Sequence, residues 1–315
     1  MGRLKNTSID VVVPLYNDQE VVRPLCSAVF SELEFRFKSV HLILVDDGSS
    51  DSTFQIAEEI AKQENRIRLV RLAGNFGQHQ AISAGLTFTD SDIVAVMDSD
   101  LQDRPEDIIR ITEQMFEQDV PIAIARSRVR SSNIIKRFSS RLFSIVSNLL
   151  VPFKVDPGLG AFRVMDRSIV NQLNSVKEST GTPFSLLYSL KIPFAMVDVE
   201  RSNRVAGMTG YTFFKSLKLA MNRILTYSFT PLRLSITIGV FSGLFSLGIG
   251  LYTILNFVIV DEVAPGWTSI AFLTSFFAGL NLLFLGIIGE YIGRIYLESR
   301  GVPRYVIRSS SDETE

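Results

Sequence analysis

Cysteine is almost missing from this chain of 315 residues: Cys26 stands alone, which excludes an intrachain disulfide and any cysteine-based zinc site. Histidine is nearly as scarce. His41 and His79 are too few for a His-rich metal centre, and His41, inside an apolar run, reads as an ordinary strand residue. Neither sign of charge prevails. The chain carries 32 basic and 33 acidic residues, a net charge of −1, so no global field favours nucleic acid. No GxGxxG fingerprint and no P-loop signature occurs, which supports neither a dinucleotide fold nor a P-loop enzyme. Met1–Asn6 has no apolar core ahead of the first strand, so no signal peptide is expected. Asn6 occupies the position where myristoylation of Gly2 needs Ser or Thr.

What the chain does have falls into two parts. Between Ile9 and Arg126, short β-branched runs (Ile9–Val13, Val40–Val45, Ile67–Leu72, Ile93–Met97 and Ile122–Ala125) alternate with helical patterns over Glu20–Leu33, Thr53–Lys62, Gln80–Thr87 and Pro105–Gln118. Pro105 suits the first turn of a helix. This alternation predicts an α/β domain with a mostly parallel sheet covered by helices. The second part raises the mean hydropathy to +0.23. Leu234–Val260 and Thr268–Gly289 contain no charge, and each exceeds the roughly 20 residues that cross a bilayer core. Lys215, Lys218, Arg223 and Arg233 precede the first run, and Arg294, Arg300 and Arg304 follow the second. The connector Asp261–Trp267 has no Lys or Arg. By the positive-inside rule both termini are expected in the cytoplasm. Trp267 and Tyr291 fall at aromatic-belt positions, and Glu290 and Arg294 either pair or snorkel separately. Tyr211–Phe229 and Ile134–Leu150 are basic and amphipathic, a pattern of helices lying in the headgroup plane or packed on the catalytic domain. The expected division is 1–210 for the catalytic domain, 211–231 for a juxtamembrane helix, 232–300 for the spans and 301–315 for a cytoplasmic tail.

Chemistry gathers where strands end. The run VAVMDSDLQDRP closes a buried strand with Asp98, Ser99 and Asp100, at the edge where open α/β sheets bind ligands. Two hard carboxylates at i, i+2 can reach one Mg²⁺ or Mn²⁺ shared with substrate phosphates, although turn chemistry produces the same pattern. The first strand ends in Pro14-Leu15-Tyr16-Asn17-Asp18 and the second in Asp46-Asp47-Gly48-Ser49-Ser50-Asp51. Asp47, with Asp46, is expected to face a nucleotide, and Asp51 to cap the following helix. Gly74 and Gly77 around Asn75 allow a tight loop near a sugar, or merely a turn.

In this order and spacing, VVVPLYND, VDDGSSDST, GNFGQHQA and MDSDLQDRPE resemble family 2 glycosyltransferases of the GT-A fold. With two C-terminal spans the chain is similar to the polyprenyl-phosphate glycosyltransferases, and the ending GIIGEYIGRIYLESRGVPRY looks like the bacterial branch that loads undecaprenyl phosphate with glucose for cell-envelope glycosylation. The resemblance implies that Pro14, Tyr16 and Asp47 hold the base and ribose; Asp46, beside Asp47, and Asn75, in the glycine loop, are binding candidates on the residue pattern alone. It implies a metal pattern of Asp98, Asp100 and Gln102, Gln102 being either a ligand or a turn closer. Arg126, Arg128 and Arg141 match residues that receive the acceptor phosphate, and Arg204 matches one that touches the donor diphosphate. Asp156, in VDPGLGAFR, orients the acceptor or the sugar, or simply makes a turn. Two departures stand out. Gly210, in Gly207-Met208-Thr209-Gly210-Tyr211, replaces a family lysine, and Asp18 stands in a segment the family makes more acidic. The implied partners are a nucleotide sugar, probed first as UDP-glucose and with GDP-mannose or a modified UDP-sugar open, a polyprenyl phosphate, a membrane and further copies of the chain in a tetramer. A processive polysaccharide synthase is disfavoured because the one tryptophan, Trp267, lies between the spans and not in a Q-x-x-R-W motif. A non-enzymatic scaffold leaves the strand-end carboxylates without a purpose.

Overall fold

The computed structural model describes residues 2–127, 159–176, 190–200, 230–260 and 266–311, together with Phe184, Leu187 and Ser228. Two units emerge. One comprises Met1–Ser144, Phe153–Tyr211 and Gly301–Glu315, the other Ile145–Pro152 and Thr212–Arg300. The closing residues, expected as a separate tail, are therefore part of the first unit.

The first unit is built on one 8-stranded sheet in the order β7-β5-β6-β4-β1-β2-β3-β8. Its strands are β1 (Ser8–Leu15), β2 (Ser39–Asp46), β3 (Ile67–Leu72), β4 (Ile93–Val96), β5 (Ile122–Ser127), β6 (Leu159–Asp166), β7 (Ala195–Val199) and β8 (Ile307–Ser310). Only β6 and β8 run against the rest, among the described residues. The helices are α1 (Val22–Leu33), α2 (Thr53–Gln63), α3 (Gln78–Leu86), α4 (Pro105–Glu117) and α5 (Arg167–Ser175). Central strands are continuously apolar because helices cover both of their faces. Val11 and Val13 of β1 and Leu42 and Leu44 of β2 meet α1, α2 and α4. Val12, Ile43 and Val45, pointing the other way, meet α3 and α5. Each fully buried Val, Leu or Ile contributes about 1.5–3 kcal/mol. Local chemistry sets the helix starts. Pro105 opens α4, with Glu106 and Asp107 in its first turn, and Asp166 caps α5 by accepting from the Ser168 amide at 2.9 Å.

From β1 the chain steps to β2 and β3 on one side, then returns to β4 on the other. The carboxyl ends of β1 and β4 thus flank a topological switch point, the usual crevice for ligands in such sheets. Pro14 is tolerated in this central strand because β1 outruns β4 there: their paired register ends at Val12 and Val96.

The second unit contributes α6 (Thr230–Val260) and α7 (Trp267–Ser299). At 31 and 33 residues and about 1.5 Å per residue, both exceed the ~30 Å hydrocarbon core. Leu232–Ile249 and Phe276–Ser299 are long and apolar enough to cross a membrane, and large apolar side chains such as Leu247 and Leu282 are exposed on them. Arg294 does pair with Glu290, at 2.9 Å. The Tyr291 hydroxyl donates to the Ser228 carbonyl at 2.6 Å. The amphipathic segment Ile134–Leu150, and Tyr211–Phe229 apart from Ser228, lie outside the described residues.

Candidate active site

Four loops meet at the switch-point edge. The turn after β1 and the turn after β2 clasp each other: the Asn17 amide donates to Ser49 Oγ at 3.0 Å, and the Ser50 amide returns a bond to Asn17 Oδ1 at 2.9 Å. Asn17 takes a left-handed φ of 56° to do so, a conformation asparagine tolerates well. Asp51, expected to cap α2, stands one residue before the N-cap Ser52 and accepts from the Thr53 amide at 3.0 Å. Asp47 reaches into the loop that follows β3. Its two carboxylate oxygens accept from the amides of Phe76 at 2.7 Å and Gly77 at 2.8 Å. Burial lifts the Asp47 pKa above the ordinary carboxylate value; these two amides act against the rise and the charge of Asp46 adds to it. Gly48, at φ +70°, lies directly beneath Gly74 and Asn75, so the loop that exposes Asn75 is seated on the loop that holds Asp47.

The Asp98–Ser99–Asp100 turn faces them across the crevice. The Gln78 amide donates to Asp98 Oδ1 at 2.5 Å. Asp100 Oδ1 accepts from the Gln102 backbone at 3.1 Å, closing a turn in which Leu101 has φ 55°. Ser99 Oγ donates to Asp18 Oδ2 at 2.7 Å, and the Tyr16 amide donates to the same oxygen at 3.0 Å. Desolvation raises the Asp18 pKa. Those two hydrogen bonds oppose the rise, and the charges of Asp100 and Asp51 reinforce it. Asp18, Asp51 and Asp100, with Asn17, Gln19, Glu20 and Val21, line a cavity of about 200 Å³. Tyr16, just after β1, is 47% exposed.

Asp98 and Asp100 present two hard oxygen donors at a strand mouth. No group of three or more His, Cys, Asp or Glu side chains able to enclose an ion occurs among the described residues. Such a donor set fits Mg²⁺ or Mn²⁺, which are usually held by one or two carboxylates and completed by phosphate oxygens and water. The main chain of Gln102 fills the turn-closing role that was the alternative to ligation.

Asp46 is fully buried, accepting from the Ser49 amide at 3.2 Å with Arg71 Nε 3.5 Å from its other oxygen. In this arrangement it anchors the turn after β2. Arg126, at the end of β5, meets Asp198 of β7 at 2.6 Å. Pro14 is buried beneath the crevice. Arg128, Arg141, Asp156 and Arg204 lie outside the described residues. Gln78, inside the GNFGQHQA segment, is a site residue that sequence reasoning missed, since its type alone does not mark it. Asp18 had a signal, its place two residues after Tyr16 in a strand-end turn.

The mostly parallel sheet with an Asp-Ser-Asp turn at its switch point is the GT-A fold, as the solved neighbours show. The model of glycosyl transferase family 2 matches residues 10–173, and the chain belongs to that family. It is 30% identical over 309 residues to an uncharacterized glycosyltransferase, YkcC, of Bacillus subtilis (strain 168), covering 97% of this chain and 95% of that one. It is also 30% identical over 302 residues to the bactoprenol glucosyl transferase of Shigella phage SfX, covering 96% and 99%. Among solved structures, mannosyl-3-phosphoglycerate synthase from Rubrobacter xylanophilus shares the fold with a TM-score of 0.52 at 18% identity, over 70% of this chain and 74% of that one. Glucosyl-3-phosphoglycerate synthase from Mycobacterium tuberculosis, in complex with Mn²⁺, UDP-glucose and phosphoglyceric acid, does so with a TM-score of 0.51 at 17% identity, over 71% and 82%.

Proposed function

We propose that this chain is a membrane-anchored, inverting and metal-dependent glycosyltransferase that moves glucose from UDP-glucose to a polyprenyl phosphate, undecaprenyl phosphate in a bacterial membrane. The observation that carries this is the union of a GT-A crevice with two helices long enough to cross a bilayer. A water-soluble donor and a lipid acceptor need both. The names of the bactoprenol glucosyl transferases support the sugar and the lipid, and the Mn²⁺ and UDP-glucose of the mycobacterial synthase support the donor and a divalent cation.

On this assignment Pro14 and Tyr16 border the base and ribose. Asp47 shapes their far wall through Phe76 and Gly77, and Asn75 stands beside the sugar. Asp98 and Asp100, with or without Gln102, would hold a divalent cation, which when bound would offset the charge of the departing diphosphate. Arg126, Arg128 and Arg141 receive the acceptor phosphate, Arg126 by sharing its guanidinium between that anion and Asp198. Arg204 touches the donor diphosphate, and Asp156 orients acceptor or sugar. A base is not required, because a phosphate monoester is already an anion near neutral pH. Its oxygen bonds to the sugar C1 as the bond from C1 to the β-phosphate oxygen breaks. The electron pair leaves with UDP, and an α-linked donor yields a β-linked lipid phosphate. The catalytic unit and both termini are cytoplasmic, and the chain works as a homo-oligomer, tetrameric by resemblance.

A donor panel tests the function. Purified protein is given labelled UDP-glucose, UDP-galactose or GDP-mannose with undecaprenyl phosphate, and label is counted in the organic phase. Label from UDP-glucose alone is expected. Preference for GDP-mannose overturns the donor, and absence of lipid-borne label from every donor overturns the acceptor.

A further inference from the structure

The edge strand beside β3 does not come from the alternating part of the chain. β8 follows α7 in sequence and lies antiparallel on β3, with Val70 opposite Ser310, Arg71 opposite Ser309 and Leu72 opposite Ile307. The attachment continues past both ends of that ladder. The Leu69 amide donates to Ser311 Oγ at 3.2 Å, and the Ala73 amide donates to the Val306 carbonyl at 2.8 Å. Just before the strand, Tyr305 packs on the core layer beneath α3, and Arg304 donates to the Val176 carbonyl at 3.4 Å.

Ala73 is the first residue of the loop that builds one wall of the crevice. Phe76 and Gly77, a few residues on, give their amides to Asp47, and the next residue, Gln78, holds Asp98. A loop is only as well placed as its two ends. One end here is the start of α3, and the other is the end of β3, which on its outer side is bonded to Val306–Ser311. Without that strap, Leu69 and Ala73 lose their amide acceptors and β3 becomes a bare edge, whose last residues open at low cost.

We propose that Val306–Ser311 is a positioning element for the donor site, holding the end of β3 so that Ala73–Gly77 presents its amides to Asp47 and Gln78 to Asp98. It touches no substrate and acts through the loop. The inference rests on reading the crevice as a nucleotide site, and the experiment separates the two. The chain is ended after Tyr305, and binding of UDP with Mn²⁺ is measured by calorimetry beside hydrogen exchange of the amides of 73–77. Roughly tenfold weaker UDP binding is expected from lost preorganisation, with faster exchange at Ala73, Phe76 and Gly77. A synthetic peptide of Tyr305–Ser311 added in trans should restore part of both. If the shortened chain fails to fold, Ile307→Pro in the full-length protein gives the same two readouts. Faster exchange confined to Ala73, with UDP affinity within twofold of the parent, overturns the proposal. A parent protein that binds no UDP overturns the nucleotide reading, and exchange at Phe76 and Gly77 still decides whether the strap orders the loop.

Discussion

Gly48→Ala gives the sharpest test of how the crevice is assembled. Gly48 has φ +70°, and a Cβ there would lie 2.5 Å from the carbonyl carbon of Gly74 and 2.9 Å from the Asn75 nitrogen and Gly74 Cα. All three are main-chain atoms, so no side chain can swing aside. Carbon atoms rest at about 3.5 Å or more, and the Ala73–Gly77 loop must therefore retreat by roughly 1 Å. Left-handed backbone costs an alanine about 1–2 kcal/mol, and forcing apart a packed contact about 1–3 kcal/mol more. A loss of roughly 2–5 kcal/mol corresponds to about 5–15 °C in melting temperature for a unit of this size. The same retreat pulls Phe76 and Gly77 off Asp47, so UDP affinity should fall as well. Gly74→Ala is the control, because nothing lies within 4 Å of its Cβ. Thermal melts and UDP calorimetry on both variants in detergent decide the matter. Equal melting temperatures and equal affinities for the two alanines would refute the seating of one loop on the other.

Asp98→Ala and Asp100→Ala should each abolish lipid glycosylation while circular dichroism stays that of the parent, and excess EDTA should silence the parent; full activity in EDTA would remove the metal from the mechanism. Asp18→Asn keeps an oxygen for Ser99 and Tyr16 but sheds a charge that burial disfavours and Asp100 and Asp51 repel. Because the folded pKa of Asp18 is raised, its stabilising contribution is whole below the ordinary value of 3.8 and lost as pH rises through the raised one. The variant should accordingly melt higher than the parent at pH 7, with the difference fading toward pH 3, and a lower melting temperature at pH 7 would contradict this. For the membrane part, a cysteine at Asp261 in a Cys26→Ser background should react with an impermeant thiol reagent on intact cells, and one placed instead at Thr314 should not; the opposite pattern would reverse the topology.

The fold was legible where burial imposed a pattern. Ile9–Val13 and Val40–Val45 are apolar on both faces because both faces are covered, and their limits fall within two residues of β1 and β2. The crevice was legible as well, since Asp98 and Asp100 interrupt such a run at its carboxyl end. Adjacent residues were less legible. Asp46 and Asp47 sit side by side, and side chains alternate along a strand. Both are buried, and their hydrogen bonds are what separate them: Asp46 accepts from Ser49 in its own turn, whereas Asp47 reaches the amides of Phe76 and Gly77. β8 was invisible because Ile307-Arg308-Ser309-Ser310 is short, polar and mostly exposed, and β3 recruits it through backbone atoms common to every residue type. Gln78 owes its place to the start of α3, and an exposed glutamine there carries no mark of the carboxylate it will meet.

That late strand bears on how the molecule is made. A span of 242 positions separates Leu69 from Ser311. At translation rates of ~5–20 residues per second, the edge of β3 waits roughly 12–50 s for its neighbour. During that interval both apolar helices are synthesised, and a growing chain has an open sheet edge beside the most aggregation-prone stretch of its sequence. A soluble fragment ending near Tyr211 would keep that edge open permanently. Expression of the catalytic part alone should therefore be attempted with residues 301–311 rejoined to it through a short linker, a graft that returns the missing strand to the chain.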